Sequence, residues 1–196
     1  MKKISYLLVI FLSINAFSQS KLTSSDSISS PILSKKNEIK VDILNLAAFG
    51  KFAISYEYFI DKDFSVGITG IFFNKKSKTD DFLTDDTRTL IDYQLIEYVR
   101  YALSKSATNL YYIEGFVNVN GGEYKELTTL NNGTADYVLI TRNNYNDMAL
   151  GGAVGYKLYI KESFVLDLTV GIGKNLFQEN SPSTVTRLGI NLGYRF

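Results

Sequence analysis

Side chains that could do chemistry are scarce in this sequence, and the scarcity is informative. Its 196 residues contain no histidine and no cysteine. Without cysteine there is no disulfide, thiolate metal site, thiol nucleophile or acylated-cysteine lipid anchor. Without histidine the usual general base and the commonest metal ligand are missing. Carboxylates remain. Glu57 and Asp167 could form a pair, but nothing in their spacing favours acid–base work over a structural ion pair. Asp80, Asp81, Asp85 and Asp86 offer oxygen ligands, yet they do not follow the EF-hand spacing, and a solvated loop is the better reading. Asn132-Gly133-Thr134 matches a glycosylation sequon, and its Asn-Gly pair reads instead as a hairpin turn. The sequence therefore predicts no catalytic residue, no cofactor and no metal. Nucleic acid is not favoured either, because 21 basic residues nearly cancel 20 acidic ones.

The elements that carry the polar residues read as strands. In Arg187–Phe196, Leu188, Ile190, Leu192, Tyr194 and Phe196 alternate with Arg187, Gly189, Asn191, Gly193 and Arg195. Successive strand residues point to opposite faces, so one face is apolar and the other polar or small. Seven more strands are predicted. The first runs over Glu38–Phe49, with Gly50 as its turn, the second over Lys51–Phe59 and the third over Phe64–Phe73. The fourth covers Leu90–Leu103, the fifth starts near Asn109, the sixth ends near Tyr159 and the seventh is Phe164–Leu176. No helix-period segment is expected after the leader. Pairing of Lys40–Leu46 with Arg187–Tyr194 would close the sheet into a barrel, which removes its exposed edges.

By phase, Lys40, Asp42, Glu57, Arg100, Glu114, Lys157, Asp167, Arg187 and Arg195 share the face opposite the apolar one, with Asn118 and Asn191. An eight-stranded barrel is just wide enough for side chains to fill. Buried charges must pair, because isolated ones are very costly. The expectation is a polar network that plugs the lumen, with a narrow ion path as the alternative. Glu97 breaks the pattern, because it is in phase with Leu95, Val99 and Tyr101 on the apolar face. Either a bulge shifts the register there or Glu97 lies near an interface.

Connections alternate in length. Those after the second, fourth and sixth strands are short, and those after the third, fifth and seventh are long. This is the pattern of transmembrane barrels. Aromatics cluster at the short-turn ends: Tyr56, Tyr58, Phe59, Phe64, Tyr98, Tyr101, Tyr111, Tyr112, Tyr156, Tyr159, Phe164, Tyr194 and Phe196. Such a cluster reads as an interfacial girdle.

On these features, residues 38–196 resemble the small eight-stranded outer-membrane β-barrel proteins, the class containing OmpX and the OmpA barrel. Gly193-Tyr194-Arg195-Phe196 is similar to their C-terminal signature, which implies recognition of Phe196 by the barrel-assembly machinery. The stretch from Lys40 to Phe64, with Ser55-Tyr56-Glu57-Tyr58, also resembles a poorly characterised barrel group. The resemblance implies an all-β, up-and-down antiparallel transmembrane barrel in a Gram-negative outer membrane, with outer-membrane lipid around it. Small outer-membrane enzymes that modify lipid A use a His beside a Ser nucleophile, and this chain has no His.

Export is expected from the first residues. Lys2 and Lys3 precede the apolar run Ile4–Ile14 and then Ala16-Phe17-Ser18, so 1–18 reads as a signal peptide. The Ser-rich stretch 19–37 reads as a flexible leader and 38–196 as the barrel domain.

The function this predicts is structural or surface-interacting, through extracellular loops and a ligand the sequence does not name. A narrow channel is the alternative, and a His-free lipid-modifying enzyme is a further, disfavoured one. A soluble lipocalin-like barrel is disfavoured by the lack of Trp and by a chain that closes on a strand. The fifth and sixth strands run on past the ~9–11 residues that cross a bilayer. Glu123–Leu130 and Ala135–Thr141 are both β-prone, with Tyr124 and Leu127 on one arm, Tyr137 and Leu139 on the other and Asn132-Gly133 between. They predict a projecting hairpin as the element that meets a partner.

Overall fold

The structure, a computed structural model, describes residues 35–73, 89–104, 106, 108–131, 136–161, 163–177 and 180–196. The expected signal peptide 1–18, most of the expected leader, the acidic stretch Asp80–Asp86 and the expected turn at Asn132-Gly133 lie outside the described residues. Eight strands follow one another: β1 Asn37–Asp42, β2 Lys51–Phe59, β3 Phe64–Phe73, β4 Thr89–Ala102, β5 Asn109–Asn131, β6 Asp136–Ile160, β7 Phe164–Asn175 and β8 Thr184–Arg195. Every neighbour is antiparallel and β8 returns to β1, so the sheet closes as an up-and-down barrel. The reason is written in the strands. Burial alternates residue by residue, for example along β2, where Ala53, Ser55, Glu57 and Phe59 are buried and Phe52, Ile54, Tyr56 and Tyr58 exposed. Such a sheet satisfies every interior backbone group by closing on itself.

The first expected strand is cut short. Its pairing with the last runs only from Glu38↔Arg195 to Asp42↔Asn191, and Ile43–Phe49 forms a short helix, α1. Local capping explains the switch. The Asp42 carboxylate accepts the Asn45 N–H at 2.9 Å, and Gly50 takes the left-handed conformation (φ 60°) that ends the helix. Leu44, Leu46, Ala47 and Ala48 are good helix formers, and a short apolar run does not by itself separate strand from helix. The helix lies along the part of β8 that β1 does not reach. Asn45 Nδ2 donates to the Leu188 carbonyl at 3.2 Å.

Two faces result. Outside are Leu168, Val170, Ile172, Leu188 and Leu192, all exposed. At the short-turn end the exposed rings pair in tilted or edge-on contacts, Phe64 with Tyr101 at 5.0 Å and Phe164 with Tyr194 at 5.6 Å. Four aromatics expected in this girdle turn inward instead. Phe59, Tyr98, Tyr112 and Tyr159 are buried in the lumen, because each is in phase with an inward charge or small residue on its own strand. Glu97 stays on the outer face. The β3–β4 ladder runs without a shift from Phe64↔Tyr101 to Phe72↔Tyr93, and the one irregularity in β4–β5 is at Ile91/Tyr93. A bulge at Glu97 is thereby excluded.

Candidate functional site: a charge network inside the barrel

Seven of the eight strands turn one or two charged groups into the lumen, and β3 adds the Ser65 hydroxyl. β1 contributes Glu38 and Lys40, β2 Glu57, β4 Arg100, β5 Glu114, β6 Lys157, β7 Asp167 and β8 Arg187 and Arg195. The closed sheet brings residues more than a hundred positions apart into contact. Glu57 is the hub. It accepts from Arg100 at 2.7 Å, from Lys157 at 2.7 Å, from the Ser65 hydroxyl at 2.7 Å and from Lys40. Asp167 accepts from Lys40 at 2.9 Å, Arg100 at 2.8 Å and the Tyr112 hydroxyl at 2.6 Å. Glu114 bridges Arg100 at 2.8 Å and Arg187 at 2.5 Å. Glu38 bridges Lys157 at 2.7 Å and Arg195 at 3.2 Å. The four carboxylates thus share five cations in one connected network, and Glu38, Glu57 and Asp167 are all 0% exposed. Each carboxylate has a cation because an unpaired charge here would carry its full desolvation penalty.

Aromatic rings serve as walls. Arg100 lies over Tyr112 at 4.2 Å and Tyr98 at 4.5 Å, and Arg195 over Tyr159 at 4.5 Å. Lys157 lies over Phe59 at 4.8 Å. A cation over a ring face is attracted by the ring's quadrupole, and the attraction grows when both are desolvated. Toward the short-turn end, Phe59, Leu110, Tyr159 and Val165 form an apolar layer beneath the network. A second layer includes Ile71, Ile96, Tyr98, Phe116 and Val185. On the long-loop side a polar cavity of about 170 Å³ opens beside Lys40, Asp42, Arg100 and Asp167, and α1 borders it through Asn45 and Phe49.

The structure brings Lys40, Glu57, Arg100, Glu114, Lys157, Asp167, Arg187 and Arg195 into this one network. Asp42 stands apart, because its carboxylate caps α1 and accepts from Asn45 Nδ2 at 2.6 Å. Sequence reasoning missed Glu38, although its phase with Lys40 and Asp42 was the available signal. It also missed Tyr112, Ser65 and the aromatic walls. Glu57 and Asp167 do meet, through the same two cations, Lys40 and Arg100, as members of a structural ion-pair network.

The hairpin candidates lie elsewhere. β5 and β6 pair without a shift from Asn109↔Leu158 to Asn131↔Asp136. Tyr124, Leu127, Tyr137 and Leu139 fall on this ladder, where Leu127 pairs with Ile140 and Leu139 with Thr128.

No known family model matches this sequence, and no curated protein matches it. Among solved structures, the chain is similar to the N-terminal β-barrel domain of Pseudomonas aeruginosa OprF. The likeness has a TM-score of 0.50 at 14% identity and covers 83% of this chain and 98% of that one. It is also similar to Ail, the attachment invasion locus protein of Yersinia pestis, with TM-score 0.46, 12% identity and coverage of 83% and 99%. The likeness is one of fold: the chain has the closed eight-stranded architecture of small outer-membrane barrels.

Proposed function

We propose that the chain is an outer-membrane barrel with a structurally plugged lumen that acts on the cell surface through its β5–β6 hairpin. The observation that carries this reading is the length of that hairpin. Among the described residues the β4–β5 ladder reaches Thr89↔Tyr124 and the β6–β7 ladder Ala149↔Asn175, while β5 and β6 remain paired to Asn131↔Asp136. A spanning strand needs only ~9–11 residues, so the paired remainder projects beyond the bilayer on the side away from both termini. An extended edge offers backbone groups to which an incoming strand can add. The exposed apolar belt and the aromatic rows at the short turns support lipid around the barrel. Recognition of Phe196 by the barrel-assembly machinery and export by residues 1–18 belong to the same reading. The saturated, ring-walled network supports a plug rather than a channel, and with no His in the chain the reading is non-enzymatic.

Deleting Tyr124–Ile140 tests it. The shortened barrel should still fold and insert, and adhesion of cells displaying it to host or abiotic surfaces should fall to the level of cells lacking the protein. Hydrogen exchange should show protected amides in 125–131 and 136–142 of the full chain. Unchanged adhesion would remove the binding role, unprotected amides would remove the rigid hairpin, and steady single-channel conductance in planar bilayers would favour the channel.

A further inference from the structure

Glu97 is a carboxylate on a face that is otherwise apolar. The outward positions of β4 are Tyr93, Leu95, Glu97, Val99 and Tyr101, and both tyrosines are exposed. Glu97 stands midway between them. At ~3.3 Å per residue along a strand tilted ~45°, roughly 9 Å of depth separates it from each tyrosine. Given the membrane-spanning reading above, on which this inference rests, Glu97 sits near the middle of the hydrocarbon layer. Its cross-strand neighbours are Ile68 and Val117. No hydrogen bond or ion pair reaches it from the described residues. Between the tyrosine rows no other described outward residue is charged, and Lys174 stands one position from the long-loop end of β7.

What can satisfy this group is constrained by its depth. Acyl chains offer no hydrogen bond, and head groups and water belong to the boundary. An unpaired ionisable group in hydrocarbon is costly and calls for a protein partner at its own level. A second copy inserted in the same direction holds Glu97 at that level automatically. A two-fold axis along the bilayer normal makes the contact self-complementary and brings the two Glu97 side chains within hydrogen-bonding reach of each other. A contact between unlike faces of two copies would leave Glu97 unmatched, because no described outward cation lies at its depth. The surface beside it permits close approach. A groove of about 630 Å³ runs past Glu97 along Val99, Val117 and Leu150. Gly115 lines it, and a Cβ added there would meet nothing within 4 Å. Small residues at such a face let two backbones approach and pack closely.

We propose that the outer face of β3–β6, centred on Glu97, is a homodimer interface in the membrane. The full barrel, reconstituted in phosphatidylcholine vesicles, tests this cleanly because the chain has no native cysteine. Val99→Cys, two positions from Glu97 on the same face, should form a disulfide-linked dimer on mild oxidation, and Ile190→Cys on β8 should not. In energy-transfer measurements between labelled copies, Glu97→Leu should weaken association about tenfold, the scale of one interhelical-type hydrogen bond in lipid. Glu97→Gln should retain association, because two amides can pair as two carboxyl groups do. A monomeric wild-type chain, equal crosslinking at Ile190→Cys, or Glu97→Leu associating like wild type would each overturn the proposal. Folding of every variant is checked by heat-dependent gel mobility, and the two cysteine variants with Glu97→Gln decide the matter even if Glu97→Leu does not fold.

Discussion

Glu57→Gln removes the hub charge while nearly preserving shape, and its cost can be worked from the contacts. Wild-type Glu57 accepts from Lys40, Arg100, Lys157 and Ser65, with the Tyr98 hydroxyl a longer 3.4 Å away. Glutamine leaves one carbonyl oxygen and turns an NH₂ group toward the cations. Lys40 and Arg100 keep Asp167, and Arg100 also keeps Glu114, but Lys157 retains only Glu38. Breaking a buried ionic network by deleting one partner costs about 3–5 kcal/mol. Because every cation keeps one carboxylate, the low end, about 3 kcal/mol, is expected. Adding Lys157→Met removes the cation left with the least compensation. The double variant should therefore be more stable than the sum of the two single losses by about 1–3 kcal/mol. Urea unfolding in lipid vesicles reads this by far-ultraviolet circular dichroism, since the chain has no tryptophan for fluorescence. A Glu57→Gln loss below about 0.5 kcal/mol, or strict additivity in the double variant, would refute a network held together by this hub.

Other outcomes follow from single contacts. A Cβ at Gly155 would meet the Tyr112 ring and hydroxyl at 2.2 Å and the Leu168 carbonyl at 2.6 Å, so Gly155→Ala should cost about 1–3 kcal/mol in the same unfolding measurement. Ile190→Arg should cost about 2–4 kcal/mol if it lies near the bilayer midplane. A spin label at Leu168 should report lipid, and a report of water would reverse the two faces. Asp42→Ala should cost about 1 kcal/mol through loss of the α1 cap, read as faster amide exchange at Asn45.

Strand alternation alone settled which residues share a face, because a period of two leaves no freedom once one face is buried. Lys40, Glu57, Arg100, Lys157 and Asp167 were legible as inward for that reason, as was the outward phase of Glu97. The same periodicity placed Phe59, Tyr98, Tyr112 and Tyr159 inward, but their composition suggested a rim. Phase decided their face, since an inward Cβ cannot deliver its ring to the membrane boundary. The helix at Ile43–Phe49 was less legible, because Asp42 and Gly50 act through local capping while the apolar run between them suits either state. The partners within the lumen could not be read from the sequence at all. Lys40 finds Asp167, 127 positions away, and Lys157 finds Glu38, 119 positions away, only because closure across β1 and β8 fixes the register of the whole barrel. A sequence specifies which charges turn inward, but the distance between any two of them depends on every ladder that separates their strands.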